Sequence, residues 1–361
     1  MISSSTAPET KESQRAGRFN GGMRRLLLLP LLCLVLAPAA LAAKPAAKPW
    51  ALAAIRIVTE QGLMGGGDPA NFRPDGVLTV GALARLAADL AQQEPVEPAA
   101  PAAPVTIASL DAGLVRTLGL GDAAVSFATA TRAAGLRPPA RFGTEVVARL
   151  LGLRTNHPAA QDDLELLPSD PATRAEAAFS AAEILQFDGW EQPAVQEAAA
   201  AFALPELTTW QQKILRTAVS LIGYPYVWGG TSEHAETPAG VAARGGFDCS
   251  GFVWRVYKLQ AYADAPQLAD VLRGRTTMAM SGEVPKAKRI AFDELEPADV
   301  LFFGAKGPKS KPAQIDHTAI YLGNGWFIHS SGFGVALAPL DGWYAERFAW
   351  ARRPLSEGDL S

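Results

Sequence analysis

The stretch GGFDCSGFVWRVYKL, residues 245–259, decides how the rest of the chain is read. Phe252, Val253, Val256 and Leu259 recur at helical spacing, which predicts a helix with that face in the core. Asp248 is a good N-cap, so Cys249 falls in the first turn. Unpaired N–H groups and the helix dipole there favour a thiolate, which is how a cysteine becomes nucleophilic. The plainer reading is a small buried hydrophobe, a common fate of a free cysteine. The polar and small neighbours in DCSG argue against deep apolar burial.

A nucleophile needs a base, and the chain has four histidines. His157, before a proline, and His234 lie in loop-like stretches and read as solvated surface groups. His317 opens the strand-like run HTAIYLG, and His329 lies near the end of the next, GWFIH, with GNG between them as a hairpin turn. A plain two-residue turn at Asn324-Gly325 puts the two histidines on opposite faces. A three-residue turn centred on Asn324, or a bulge, puts them on one face, and that is the expectation. Asp316 then points away from His317. In this arrangement Cys249 attacks a carbonyl, His317 takes and returns the proton, and His329 holds the ring of His317. The Cys249 N–H contributes to an oxyanion hole. A metal site is the rival for one cysteine and two histidines, but no close ligand pairs such as C-x-x-C occur, so neither metal nor cofactor is expected.

Outward from this centre, LTTWQQKILRTAVSLIG (207–223) reads as an amphipathic helix with Trp210, Ile214, Ala218 and Leu221 on one face. One main helix bearing the cysteine, followed by the short strand-like runs DVLFFG, HTAIYLG, GWFIHSSG and FAWARR, is an α+β arrangement. Residues 50–200 are alanine-rich and predict a mostly helical region, with a Pro/Ala linker at 94–104. Thr79 reads as the cap of one helix, and Thr173 with Glu176 as a capping box for another. PPARFGTEVVARLLGL (138–153) reads as a weaker echo of the first pattern, repeating an aromatic, a turn, a Thr and Ala148-Arg149-Leu150.

The N-terminus carries Arg24 and Arg25, then LLLLPLLCLVLA, then Ala40-Leu41-Ala42, the pattern of a secretory signal over residues 1–42. Its core of about a dozen residues falls short of the roughly 20 that span a bilayer. An uncleaved anchor is the alternative. Residues 43–49 read as a linker. With the signal and its Cys33 removed, Cys249 is the lone thiol of an exported chain, which implies a reactive group or an intermolecular bridge. The chain of 361 residues has a net charge of -3, which excludes the basic excess that nucleic-acid binding needs.

Two resemblances follow from these residues. Trp50, NFRPDG (71–76), Thr79 and TRAE (173–176) resemble surface-layer homology repeats, which hold proteins to bacterial wall polymers. The first repeat reads TVGA where the family has TRAE, so residues 50–200 stand as either a wall-binding region or a helical spacer. GYPYVWGG, FDCSGFVWRVY, PADVLFF and DHTAIYLGNGWFIHSS closely resemble the NlpC-type cell-wall cysteine peptidases. That resemblance implies a papain-like domain over about residues 205–355. It also implies hydrolysis of peptidoglycan stem peptides, typically between D-γ-glutamyl and the following diamino acid, through Cys249, His317 and His329. It implies that Tyr226 borders the oxyanion site and that Asp248 and Ser250 recognise a free N-terminal amine. Trp228 is expected in the core. The basic loop GAKGPKSKPAQ (304–314) flanks the site and is either solvated or in contact with an acidic substrate. The alternatives are an amidase or thiol acyltransferase on the same fold, or a non-catalytic wall-binding protein. The expected protein is a monomer, secreted or wall-associated.

Overall fold

The computed structural model describes residues 50–360, apart from 66, 68–70 and 156–164. The expectations for the export signal, Cys33, the linker at 43–49 and His157 lie outside the described residues. The N-terminal region is helical: α1 (Leu52–Glu60), α2 (Val80–Ala91), α3 (Ile107–Thr117), α4 (Gly121–Ala133), α5 (Phe142–Leu150), α6 (Arg174–Leu185) and α7 (Glu191–Ala201). Threonines cap three of these. Thr79, Thr106 and Thr173 accept from the N–H three residues on, at the starts of α2, α3 and α6.

The residues before these caps close a ring of backbone hydrogen bonds. Leu78 N–H donates to Ala172 at 2.7 Å, Ala172 N–H to Val105 at 2.7 Å, and Val105 N–H to Leu78 at 2.9 Å. All three are buried, so the ring pairs groups that water does not reach. The second cap is therefore Thr106, just beyond the expected Pro/Ala linker. Thr144 lies inside α5, its hydroxyl donating to the Arg141 carbonyl. The echo at 138–153 copied residue types without the turn that precedes a cap. TRAE is used internally: Arg174 donates to the Phe72 and Met64 carbonyls and sits over the Phe72 ring, and Glu176 pairs with Arg154 at 2.7 Å.

After α8 (Thr209–Ser220), β1 (Thr231–Ser232) and β2 (Gly246–Phe247) pair briefly before α9 (Cys249–Trp254). Two short helices, α10 (Leu268–Val271) and α11 (Thr277–Gly282), lead to the sheet. Its strands are β3 (Val300–Gly304), β4 (Ile315–Gly323), β5 (Trp326–Ser331), β6 (Gly334–Pro339) and, after α12 (Gly342–Arg347), β7 (Phe348–Arg352); α13 (Pro354–Glu357) follows. The five strands run in the order β6-β5-β4-β3-β7, all antiparallel. This is the expected α+β arrangement, a cysteine-bearing helix on an antiparallel sheet behind a mostly helical region.

Alternation gives the sheet two faces. Phe302, Ile320 and Ile328 share one hydrophobic core with Phe252, Val253 and Val256 of the α9 segment; Leu301, Phe303, Ala319 and Phe327 line the other face. Leu259, expected in the core, is 51% exposed. The helix widens into a π turn over Arg255–Leu259, which rotates Leu259 off the buried stripe.

The helical region and the sheet share that first core. Phe127 and Phe202 meet Trp326 of β5 with ring centroids 5.8 and 5.1 Å apart. Two arginines of the helical region take the carbonyls left unpaired at the end of α8: Arg141 bonds Ile222 at 2.9 Å and Arg149 bonds Gly223 at 2.8 Å. Arg149 also donates to the Phe333 carbonyl beyond β5. Its charge is matched by Glu145 and Glu165, at 3.2 and 2.9 Å, in a network that is nearly water-free. Burial raises the carboxyl of Glu165, against the pull of Arg149 and Arg154. Removing one member strands the others, so Arg149→Ala is expected to lower stability by about 3–5 kcal/mol, read by urea unfolding.

Candidate active site

Asp248 caps α9 and places Cys249 at its first helical position, as its sequence predicts. Gly251 is needed for this placement: a Cβ there would lie 1.8 Å from the Gly230 oxygen. Helix α9 packs on β4 and β5, and the Cys249 sulfur meets the backbone N–H groups of Ser250 and Thr318, the latter adjacent to His317.

The β4–β5 hairpin contains a bulge. Ile320 pairs with Ile328 and Tyr321 with Phe327, but Gly323 pairs with Trp326, leaving Leu322 as the extra residue. Asn324 (φ 48°) and Gly325 (φ 78°) form the two-residue turn. The bulge restores the parity that a plain two-residue turn would break. His317 and His329 lie on one face, with Nε2 of His317 2.7 Å from Nδ1 of His329. Aromatic rings surround them: Phe303 at 5.7 Å from His317, and Phe327 and Tyr344 at 4.9 and 5.4 Å from His329. Asp316 points outward to Arg347, as alternation requires. His234 is exposed.

The electrostatics differ from the sequence expectation. Cys249 is 8% exposed; burial, and then the Asp248 carboxylate, push its thiol up to about 12, and the nearby N–H groups offset this only in part. The helix tip alone does not ionise it. Burial likewise lowers His317 to about 4, opposed in part by Asp316, and holds His329 well below its usual range. The resting site is neutral. Tyr226 is half-buried, and its hydroxyl is raised by burial and by Cys249 and Asp248, so it remains a donor.

Asp248 does more than cap. It accepts from Gly229 N–H at 2.9 Å, from Ser250 Oγ at 2.9 Å, from Gly251 N–H, and from both Nη atoms of Arg275 at 3.1 and 3.2 Å. Arg275 also donates to Ser250 Oγ at 2.7 Å and to the Gly229 and Gly230 carbonyls. Both residues assigned to amine recognition are thus held by a cation that sequence reading missed. Arg275 stands in GRTT with no local pattern to mark it; Tyr344 is missed for the same reason. Trp228, expected in the core, is 74% exposed, because it lies in a turn with Gly229 (φ 78°) just after the isolated bridge at Tyr226.

Residues 223–353 match the NlpC/P60 family model, so the α+β part carries a domain of that family, and residues 43–79 match the S-layer homology domain. The second match covers the stretch that holds Trp50, NFRPDG and Thr79. The chain is 34% identical over 142 residues to the probable peptidoglycan endopeptidase LytE of Bacillus subtilis, covering 39% of this chain and 34% of that one. It is 28% identical over 149 residues to a gamma-D-glutamyl-L-lysine dipeptidyl-peptidase of the same organism, covering 40% and 42%. The chain thus spans less than half the length of these relatives. Among solved structures, it is similar to an NlpC/P60 family protein from Bacillus cereus, at 26% identity and a TM-score of 0.31 over 43% of each chain.

A neutral, desolvated histidine pair binds fewer protons folded than unfolded. As pH falls from about 6.5 towards about 4, the unfolded chain takes up protons first and stability drops, on the order of 2 kcal/mol after allowing for partial exposure of His317. Urea midpoints at pH 7 and pH 5 are expected to fall less for the His317→Gln/His329→Gln double variant than for wild type. Equal falls would remove this account of the pair.

Proposed function

We propose that the protein is an exported, wall-associated peptidoglycan hydrolase, a papain-like cysteine peptidase that cuts stem peptides at the D-γ-glutamyl–diamino acid bond. This reading is carried by the 2.7 Å His317–His329 contact, with the Cys249 sulfur at the backbone N–H of Thr318, the residue after His317. With Nε2 of His317 held by His329, Nδ1 is the nitrogen left to serve as base. The Cys249 thiol gives its proton to His317 as the sulfur attacks the γ-carbonyl carbon. Transfer at the moment of attack suits a thiol and an imidazole that both rest neutral. The Cys249 N–H and the Tyr226 hydroxyl stabilise the oxyanion. The tetrahedral adduct collapses, His317 protonates the leaving amine, and water then hydrolyses the thioester. Asp248 and Ser250 reach a substrate amine only by exchanging Arg275 for it.

The rival is a wall-binding protein on the same fold without turnover, and the raised thiol pKa is the observation that favours it. Digestion of purified peptidoglycan separates the two. Wild type is expected to release fragments with new γ-glutamyl ends, seen by mass spectrometry, and Cys249→Ala to release none. Identical fragments from both would remove the thiol mechanism, and none from either would leave the binding protein.

The helical region is assigned to wall association. The loop before His317 folds into two short turns that leave Lys306, Lys309 and Lys311 exposed. Changing all three to Ala is expected to weaken sedimentation with peptidoglycan several-fold at low salt and little at high salt, as surface charges are screened there. Unchanged sedimentation at low salt would assign the loop to solvent.

A further inference from the structure

Arg275 stands beside the nucleophile without a part in the steps above, and its backbone is fixed on both sides. The Arg273 and Gly274 N–H groups donate to the carboxylate of Glu283, which pairs with Arg352 at 2.9 Å. On the other side Thr276 caps α11, and the Thr277 hydroxyl donates to the Ile315 carbonyl at 3.0 Å, two residues before His317. The arginine thus projects from a segment tied to the strand that carries His317.

Its guanidinium forks onto both oxygens of Asp248. Nη1 also meets Ser250 Oγ, and Nη2 the Gly229 and Gly230 carbonyls of the loop that follows Tyr226. The side chains of Arg275 and Asp248 are 30% and 13% exposed, so water screens the pair incompletely. Asp248 is the charged group that acts most on the Cys249 thiol, and it disfavours a negative sulfur. The Tyr226 hydroxyl feels Cys249, Asp248 and Arg275 together, which puts all three groups in one electrostatic cluster. The titratable groups of the adjoining loop and of β4–β5, Tyr226, His317 and His329, are neutral. Among the described residues, Arg275 is the cation paired with Asp248.

We infer that Arg275 is a positioning residue for the nucleophile: held against Asp248, it cancels the carboxylate's repulsion of a negative sulfur and so sets the reactivity of Cys249. This rests on the peptidase reading only in taking Cys249 as the nucleophile. Helix α9 needs an oxygen acceptor at 248 for its cap, and the charge on that cap works against the thiolate beside it. Arg275 lets one carboxylate start the helix without blocking the chemistry. The dependence runs through charge, so an uncharged cap at 248 makes Arg275 dispensable.

Iodoacetamide reacts with the thiolate, so its rate reads the ionised fraction of Cys249. The full chain is alkylated between pH 7 and 10, and modification at Cys249 is followed by peptide mass spectrometry, which leaves Cys33 out of the signal. Arg275→Gln is expected to slow the reaction about five- to tenfold at pH 8, and Arg275→Gln/Asp248→Asn to return it to within about twofold of wild type. Asn keeps the cap, so the double variant removes the charge and leaves the helix start. An unchanged rate in Arg275→Gln overturns the inference. So does a double variant as slow as the single, which would make Arg275 a brace for the Gly229 loop and no more. An opened chain behaves differently: it reacts faster, with a profile that levels off near the ordinary thiol value of about 8.5. If Arg275→Gln does this, Arg275→Lys replaces it at pH 8. A rate within about twofold of wild type then supports the charge role, and any other rate overturns it. Peptidoglycan digestion is read separately. A wild type that releases no fragments sinks the peptidase reading, while the alkylation rates still decide the role of Arg275.

Discussion

One inserted residue, Leu322, sets the geometry on which the candidate site depends. Side chains alternate along a strand, so a plain two-residue turn between β4 and β5 would send His317 and His329 to opposite faces. The bulge adds one position and brings both imidazoles to the same face. Their 2.7 Å contact follows, and so does the shell of Phe303, Phe327 and Tyr344 that desolvates them. That shell keeps the pair neutral.

Asp248 is the corresponding constraint around Cys249. A single carboxylate starts α9, binds the Gly229 loop and holds Arg275. Its charge also raises the thiol beside it. The arrangement orders the helix tip at the expense of thiolate stability, which is why position at a helix N-terminus was a poor guide to ionisation here. The dipole effect amounts to about 1 kcal/mol, and desolvation of a buried thiolate outweighs it.

The helical region is more than a tether in this molecule. Its arginines complete the end of α8, its aromatic residues pack on Trp326, and its α6–α7 pair stands across from β6. The region is therefore built into the same core as the sheet that carries the two histidines.

What the sequence by itself determined is local. Helical spacing, the Asp248 cap, the threonine caps at Thr79 and Thr173 and the hairpin histidines all rest on interactions within a few residues, which periodicity and turn chemistry report directly. Even the choice between faces reduced to a parity argument over thirteen residues, 317 to 329. Tertiary structure alone decided the rest. Thr106 is a cap that no local signal marked, because it belongs to a ring closed by residues 78, 105 and 172. Arg275 meets Asp248 27 residues away, Tyr344 meets His329 15 residues away and Arg149 meets Gly223 74 residues away, and no spacing rule links them. The protonation state of Cys249 also waited on the fold, because desolvation depends on what packs around a group, and a sequence shows only what stands next to it.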